Sequence, residues 1–388
     1  MGVSIVGWAH AQFGKFDNVD LESLISGVAK EAINHAAISA KDIDGVWLGN
    51  LNGGFVPDVF CSSLVLQADD GLRWKPAVRV ENACASGSAA IYGAIDAIRS
   101  GATRIALVVG AEKMSSVRGS EATRILGNCS YVKEESAIDH GFAGIFGKIA
   151  QAYFERYGDR RASLARIAAK NHLNGTLNPW AHMRKDLGFE FCNTISDNNP
   201  IIAGPLRKTD CSLVSDGAAA LVLANNSLLA DFPRAVEFRS TTQVNDFLPM
   251  SRRDPVGFEG PRRAWAFGLE QAGVEIGDLS FAEVHDCFTI AELLSYEAMG
   301  LASPGNGASV IDEGLVTREG ALPVNVSGGL KAKGHPIGAT GVSMHVLSAM
   351  QLCGEACAMQ LAKAELAGIF NMGGSAVANY VSILERKK

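Results

Sequence analysis

Arg79-Val80-Glu81-Asn82-Ala83-Cys84-Ala85-Ser86-Gly87-Ser88-Ala89-Ala90 is the stretch that organises the chain. The alternating run Ala77 to Glu81 predicts a strand, and from Cys84 onward nearly every residue is small. Ile91, Ile95 and Ile98 then recur at helical spacing, and Ser100-Gly101 stops the helix. Cys84 is therefore expected in a strand-to-helix turn, at or just before a helix N-terminus. Unpaired N–H groups and the helix dipole there favour the thiolate, which is the nucleophilic form. Read alone, the stretch fits a buried packing cysteine equally well.

At 388 residues the chain has room for two domains, or one large duplicated one. The 42 glycines are scattered among apolar runs, which points to tight turns and close backbone approach. A net charge of −6 gives no reason to expect nucleic acid or an anionic membrane as partner. The eight cysteines have irregular spacing and no secretory leader precedes them, so free thiols in a reducing, cytoplasmic setting are expected. No apolar run approaches membrane-spanning length.

Val3 to Trp8 reads as a first strand, and Leu21 to Ile33 as an amphipathic helix capped by Asp20. Val46-Trp47-Leu48 is a short strand, and Ile105 to Val109 is a continuous run of buried-strand type. Such alternation predicts an α/β sheet with helices on both faces. From about 119 to 211 the pattern loosens, with a helix near Leu164 to Lys170 and a loop at Asn174 to Pro179; this excursion is read as covering a site. Asp216 to Leu223 is a small-residue strand, and Asn225 to Pro233 a junction. The second half repeats the first: a helix from Ala264, the strand Phe281 to Val284, Leu322 to Asn325 leading into a helix that ends near Gly354, then Ile369 to Gly373. The halves are expected at 1–230 and 231–388, packed about a pseudo-twofold that brings the Cys84 and His335 loops together.

Three further stretches carry chemistry. His285-Asp286-Cys287-Phe288 stands at the end of a predicted strand, where open α/β sheets place their sites. Ser327 to Gly341 holds five glycines and His335, with a glycine spacing wrong for a Walker loop or a dinucleotide fingerprint. Asn371-Met372-Gly373-Gly374 could turn backbone N–H groups toward a ligand. No metal is expected: there is no Cys-x-x-Cys pair, and packing explains Cys353 and Cys357. Structural or surface roles are the default for His172, His182 and His345.

Asn82 to Gly87, His285 to Phe288 and Gly334-His335-Pro336-Ile337-Gly338 resemble the three signatures of thiolases, and the His-Asp-Cys-Phe version is similar to the sterol-carrier-protein type. Lys170-Asn171-His172, Asn178-Pro179, Asp216 to Ala220, Glu292 to Ala298 and Asn371 extend the resemblance over nearly the whole chain. Two departures stand out. Other thiolases carry Asn-Glu-Ala-Phe where this chain has His285 to Phe288, and a catalytic cysteine where it has Asn371. The second cysteine has in effect moved to Cys287.

The resemblance implies a thiolase fold, two βαβαβαββ halves in a five-layer αβαβα body with an inserted loop domain. It implies thiolytic cleavage of 3-ketoacyl-CoA or the reverse Claisen condensation, with coenzyme A as substrate and no permanent cofactor. Cys84 would be acylated, His335 would take its proton, and Cys287 would move the α-carbon proton. His285 and His335 would hold the enolate oxygen, and the N–H groups of Cys84 and Gly373 the tetrahedral oxyanion. Ser212 would lie beside pantetheine; Arg184, Lys185, Arg252 and Arg253 are candidates for the CoA phosphates, with a solvated face as the favoured reading of each. A homodimer, or a dimer of dimers, paired through the strand before Cys84 is expected, with room for a small zinc-ribbon and OB-fold partner. Two other readings stay open: acylation of a carbon nucleophile not linked to CoA, and a non-catalytic acyl-CoA-binding homologue.

Overall fold

The computed structural model describes residues 2–388. The first half runs β1 (Val3–His10), α1 (Leu21–His35), β2 (Gly45–Gly49), β3 (Ala77–Val80), α2 (Ser86–Arg99) and β4 (Ile105–Glu112). An excursion follows: α3 (Gly119–Gly127), α4 (Val132–Glu135), α5 (Phe142–Tyr157), α6 (Arg161–Leu177), α7 (Gly188–Asn193) and the hairpin β5 (Ile201–Ala203) and β6 (Leu206–Arg207), before β7 (Gly217–Asn225). The second half runs β8 (Val236–Asn245), α8 (Glu259–Ala272), β9 (Phe281–Val284), α9 (Thr289–Ala298), α10 (Gly307–Asp312), α11 (Ile337–Cys353), β10 (Leu366–Gly373) and β11 (Ala378–Arg386).

Local chemistry explains these elements. The Asp20 carboxylate accepts the Ser23 N–H at 2.8 Å and caps α1, whose buried stripe is Leu21, Leu24, Ile25, Val28 and Ile33. Every residue of β4 is buried, which suits a strand covered on both faces. In α11 everything from Ile337 to Leu352 is buried, so this helix has no polar face to display a helical pattern.

The strands follow the order β3-β2-β4-β7-β1-β8-β11-β10-β9. Within the sheet, among the described residues, the two halves pair at Ser4–Glu237 and Ile5–Val236, between β1 and β8. In the first half β3 and β4 run parallel to β2, while β7 is antiparallel to β4 and to β1. In the second, β10 runs parallel to β9, and β11 is antiparallel to β10 and β8; Val324 adds a single parallel bridge to Ala282 of β9. Order and direction therefore repeat step for step. Helices α2 and α11 lie between the halves. The Tyr92 hydroxyl of α2 donates to the Val381 carbonyl of β11 at 2.6 Å, while α11 packs on β4 and β7. Helix α1 covers the outer face of the first half and α8 that of the second, which completes five layers.

One expectation needs correcting. Helix α6 continues through Leu177 where a loop was expected from Asn174. There Gly175 lies so close to the turn before His335 that a Cβ would meet Ala332 at 2.7 Å, and the Asn174 amide donates to the Asn325 carbonyl at 3.0 Å. Tertiary contacts override the weak local propensity. Leu322 to Asn325, which leads into the glycine-rich turn, carries a single bridge at Val324.

Candidate active site

The link from β3 to α2 is a strained turn. Ala83 has φ +50°, in the left-handed region, and its N–H donates to Glu81 at 2.6 Å. The Ser86 hydroxyl accepts from the Asn82 N–H at 2.9 Å and donates to the Ala83 carbonyl at 2.7 Å. Cys84 follows, two residues before α2 begins. The expected thiolate is not its resting state. Burial pushes the thiol up to about 12, against the opposing pull of the Gly374 and Cys84 N–H groups. Desolvation outweighs the helix terminus, so attack requires a base.

His335 supplies the right geometry for one. The Thr340 hydroxyl donates to the Pro336 carbonyl at 2.9 Å, so it must accept from His335 Nδ1 at 2.7 Å. The proton of the ring is thereby placed on Nδ1, and Nε2 is bare, buried and without a partner among the described residues. Burial, then the Lys333 charge, holds His335 down at about 3, so the ring is neutral at neutral pH. His285 stands edge-on to it with ring centroids 5.1 Å apart, and its own Nε2 is buried without a partner. The Cys84 sulfur and a ring nitrogen of each histidine lie within 4.8 Å of one another. Burial raises the Cys287 thiol well above its ordinary range, so it rests protonated.

Cys84, Cys287 and His335 face a small apolar cavity of about 70 Å³, closed by Leu126, Cys129, Phe142, Phe288 and Ile337. Phe288 is stacked on buried Phe146 at 4.6 Å, which makes that wall rigid. A wider cavity of about 520 Å³ adjoins it and shares Leu126, Phe142, Ser212, Phe288 and His335. Its other walls come largely from the excursion between β4 and β7. The Ser212 N–H donates to the Cys287 carbonyl at 2.9 Å, tying this entrance to the site.

The structure moves two sequence expectations. Gly374 lines the small cavity, and Gly373 ends β10 beside it. The basic groups on the wide cavity are Lys15, Lys208, His140 and His182, not Arg184, Lys185, Arg252 or Arg253. Arg253 is committed to Ser375, and Arg252 covers the Phe247 ring at 3.6 Å. Lys15 and Lys208 left no local signal, since their loops meet only in the fold. His345 has the structural role expected, bonded to the Gly341 carbonyl and Ser382.

Two buried carboxylates brace the loops. Asp286 accepts from the Leu330 and Lys331 N–H groups and from Asn171, which fixes the loop before His335 against that of His285. Glu112 accepts from the N–H groups of Leu51, Asn52 and Gly338, and so holds the start of α11 against the first half. Sequence reasoning missed Glu112, although a carboxylate closing a fully buried strand is itself a signal.

The family description "Thiolase, N-terminal domain" matches residues 3–188, and "Thiolase C-terminal domain-like" matches residues 243–386. An acetyl-CoA acetyltransferase of Methanothermobacter thermautotrophicus is 33% identical over 388 residues, 99% of each chain. The chain belongs to the thiolase family. Another thiolase-like relative, human sterol carrier protein 2, is 30% identical over 97% of this chain and 70% of that protein. Among solved structures, human mitochondrial 3-ketoacyl-CoA thiolase in complex with CoA superposes with a TM-score of 0.76 at 18% identity, covering 100% of this chain and 98% of that one. The Ltp2-ChsH2(DUF35) aldolase superposes with a TM-score of 0.84 at 19% identity, covering 99% and 97%. These last two likenesses establish the thiolase fold.

Proposed function

We infer that this thiolase is an acyl-CoA C-acyltransferase that works through an acyl group on Cys84. The observation that carries the reading is the meeting of a buried thiol, a bare imidazole nitrogen and a second thiol around one small cavity. In the first half-reaction Cys84 Sγ attacks the thioester carbonyl while His335 Nε2 takes its proton. The Cys84 and Gly374 N–H groups, which both face the sulfur, hold the tetrahedral oxyanion. One such donor is worth roughly 2.7–4 kcal/mol. The C–S bond to CoA breaks, CoA leaves as a thiolate and collects the Cys287 proton. In the second half-reaction the Cys287 thiolate removes the α-proton of a second acyl-CoA, and the imidazoles hold the enolate oxygen. The enolate carbon attacks the acyl carbonyl, and Cys84 departs with the proton held by His335. Cleavage of a 3-ketoacyl-CoA is the same sequence reversed.

The closed apolar walls support a short acyl group. A cavity of 150 Å³ holds benzene, so roughly half that space takes an acetyl or propionyl group. The wide cavity suits pantetheine beside Ser212, with Lys15 and Lys208 near the CoA phosphates. We assign the halves to 1–230 and 231–388. The edge strand β3, flanked by exposed Val59, Phe60 and Trp74, suits pairing with a second copy. One fold neighbour is named as an assembly with a DUF35 chain; a small second-chain partner for this thiolase would be of that kind. No described helix is long and apolar enough to cross a membrane. Rapid mixing with acetyl-CoA tests the central reading. A burst of free CoA, stoichiometric with enzyme, is expected; its absence rejects the acyl-enzyme.

A further inference from the structure

Asn371 replaces the cysteine that other thiolases carry, and it lies at the centre of a hydrogen-bond chain that joins both halves. Its side chain is fully buried. The Ser88 hydroxyl lies 2.7 Å from Asn371 Oδ1, and Asn371 Nδ2 lies 3.3 Å from the Cys84 carbonyl and 2.8 Å from His285 Nδ1. The carbonyl of Cys84 can only accept. It therefore requires the NH₂ end of the amide on its side, and the oxygen end falls to the Ser88 hydroxyl. With the amide so oriented, Nδ2 donates to His285 Nδ1, which must be the bare nitrogen. The proton of the neutral His285 ring then sits on Nε2. That Nε2 is buried and has no partner among the described residues. An N–H in such a place calls for an acceptor from the substrate.

His335 is set the other way, with its proton on Nδ1 by Thr340 and a bare Nε2. We propose that Asn371 is a positioning residue that selects the His285 tautomer, so that the pocket presents one imidazole N–H donor to the enolate oxygen and one bare imidazole nitrogen to the Cys84 thiol. Two neutral histidines at 5.1 Å then perform different tasks because their outer hydrogen bonds differ. The assignment rests on the acyl-transfer reading for its chemistry, but the tautomers stand on hydrogen bonding alone.

The same bond bears on the three ligand atoms gathered within 4.8 Å. A histidine that binds a metal through Nε2 donates its other N–H to an acceptor. Thr340 can accept from His335, but Asn371 presents a donor to His285. Asn371 thus directs the cluster toward an oxyanion and away from a cation.

Replacing Asn371 with aspartate reverses the polarity at Nδ1. The other ionisable groups facing His285 are His335, Lys333 and Cys84. In Asn371→Asp the new carboxylate favours a doubly protonated His285 at low pH, where the Nε2 proton is kept. As pH rises the ring loses one proton, the carboxylate retains the other on Nδ1, and Nε2 becomes bare. Asn371→Ala leaves the ring free to adopt the tautomer that the substrate demands.

The test measures α-proton exchange of acetyl-CoA into deuterated water against pH, beside Cys84 acylation. In Asn371→Asp, exchange is expected to fall with rising pH by roughly 10²–10³-fold, the value of one oxyanion donor. Asn371→Ala is expected to lose only severalfold, without that pH limb. A purely structural residue gives the opposite order, since aspartate is the closer isostere. An aspartate variant that follows the wild-type profile overturns the proposal. So does a wild-type protein whose ¹⁵N-histidine spectrum, assigned with His285→Gln and His335→Gln, places the His285 proton on Nδ1; this arm needs no Asn371 variant to fold. Failure of Cys84 to become acylated in the wild type would instead reject the acyl-transfer reading and leave the tautomer result standing.

Discussion

The two halves of this thiolase use one topological slot in opposite ways. In the first half, β3 forms a four-residue ladder with β2, and the short turn Glu81–Ala85 leads into α2. In the second half the corresponding strand shrinks to the bridge at Val324, and the long segment Asn325–Pro336 leads into α11. The first corner lies at the sheet edge, with Arg79 exposed; the second is buried throughout. A short strained turn suits a nucleophile that must hold one position. A long buried loop can carry a base from the other half across the pseudo-twofold, and Thr340 in the first turn of α11 fixes its tautomer. Duplication supplied two equivalent loops, and divergence in length gave them complementary chemistry.

The largest break of this comparison is Cys84→Ala, which removes the short corner's thiol. Acyl-enzyme formation should vanish, and mass spectrometry after incubation with acetyl-CoA reads it directly. An adduct that persists, or one found on another cysteine of the wild type, refutes the assignment.

His335→Ala disables the long corner. With Cys84 pushed up to about 12 and His335 held at about 3, neither changes protonation near neutral pH. Wild-type acylation should therefore be nearly independent of pH there. Without the base the rate follows the thiolate fraction and rises about tenfold per pH unit. The loss should be about 10²–10⁴-fold at neutral pH and shrink as pH rises. Equal losses at all pH values would mean that His335 is not the base.

Cys287→Ala separates the two half-reactions. Cys84 should still be acylated, while α-proton exchange and condensation fall by about 10²–10⁴-fold. Condensation retained within a few-fold would reduce Cys287 to packing beneath the site.

Glu112→Gln sharpens the comparison most gently, since Glu112 ties the first half to the start of α11. An amide cannot accept from all the N–H groups that the carboxylate serves, and a loss of about 1–3 kcal/mol is expected. Burial raises Glu112 from 4.5 to about 7. The native state therefore holds its proton more tightly than the unfolded chain does. The stability contributed is full below about 4.5 and is lost as pH rises through about 7. Urea unfolding at several pH values should show a shallower descent in Glu112→Gln than in the wild type, because buried Asp286 and Glu283 are also raised and remain in the variant.

The amino-acid sequence by itself determined the α/β class and the duplicated order of elements, and it singled out Cys84, His285, Cys287 and His335 as candidates. Strand alternation, helical spacing and short motifs are local, so they can be read along the chain. It was also sufficient to place the strand-to-helix turn and the cap at Asp20. What only the tertiary structure decided depends on contacts between distant residues and on removal of water. Asn371 meets Cys84 and His285 across separations of 287 and 86 residues, and those bonds choose a tautomer. That Gly374 lines the small cavity, and that Lys15 and Lys208 stand on the wide one, follows from which loops the fold brings together. The Cys84 thiol is pushed up by burial although its place beside a helix start argues for the thiolate. Desolvation depends on everything packed around a group, and no pattern in the adjacent residues encodes it.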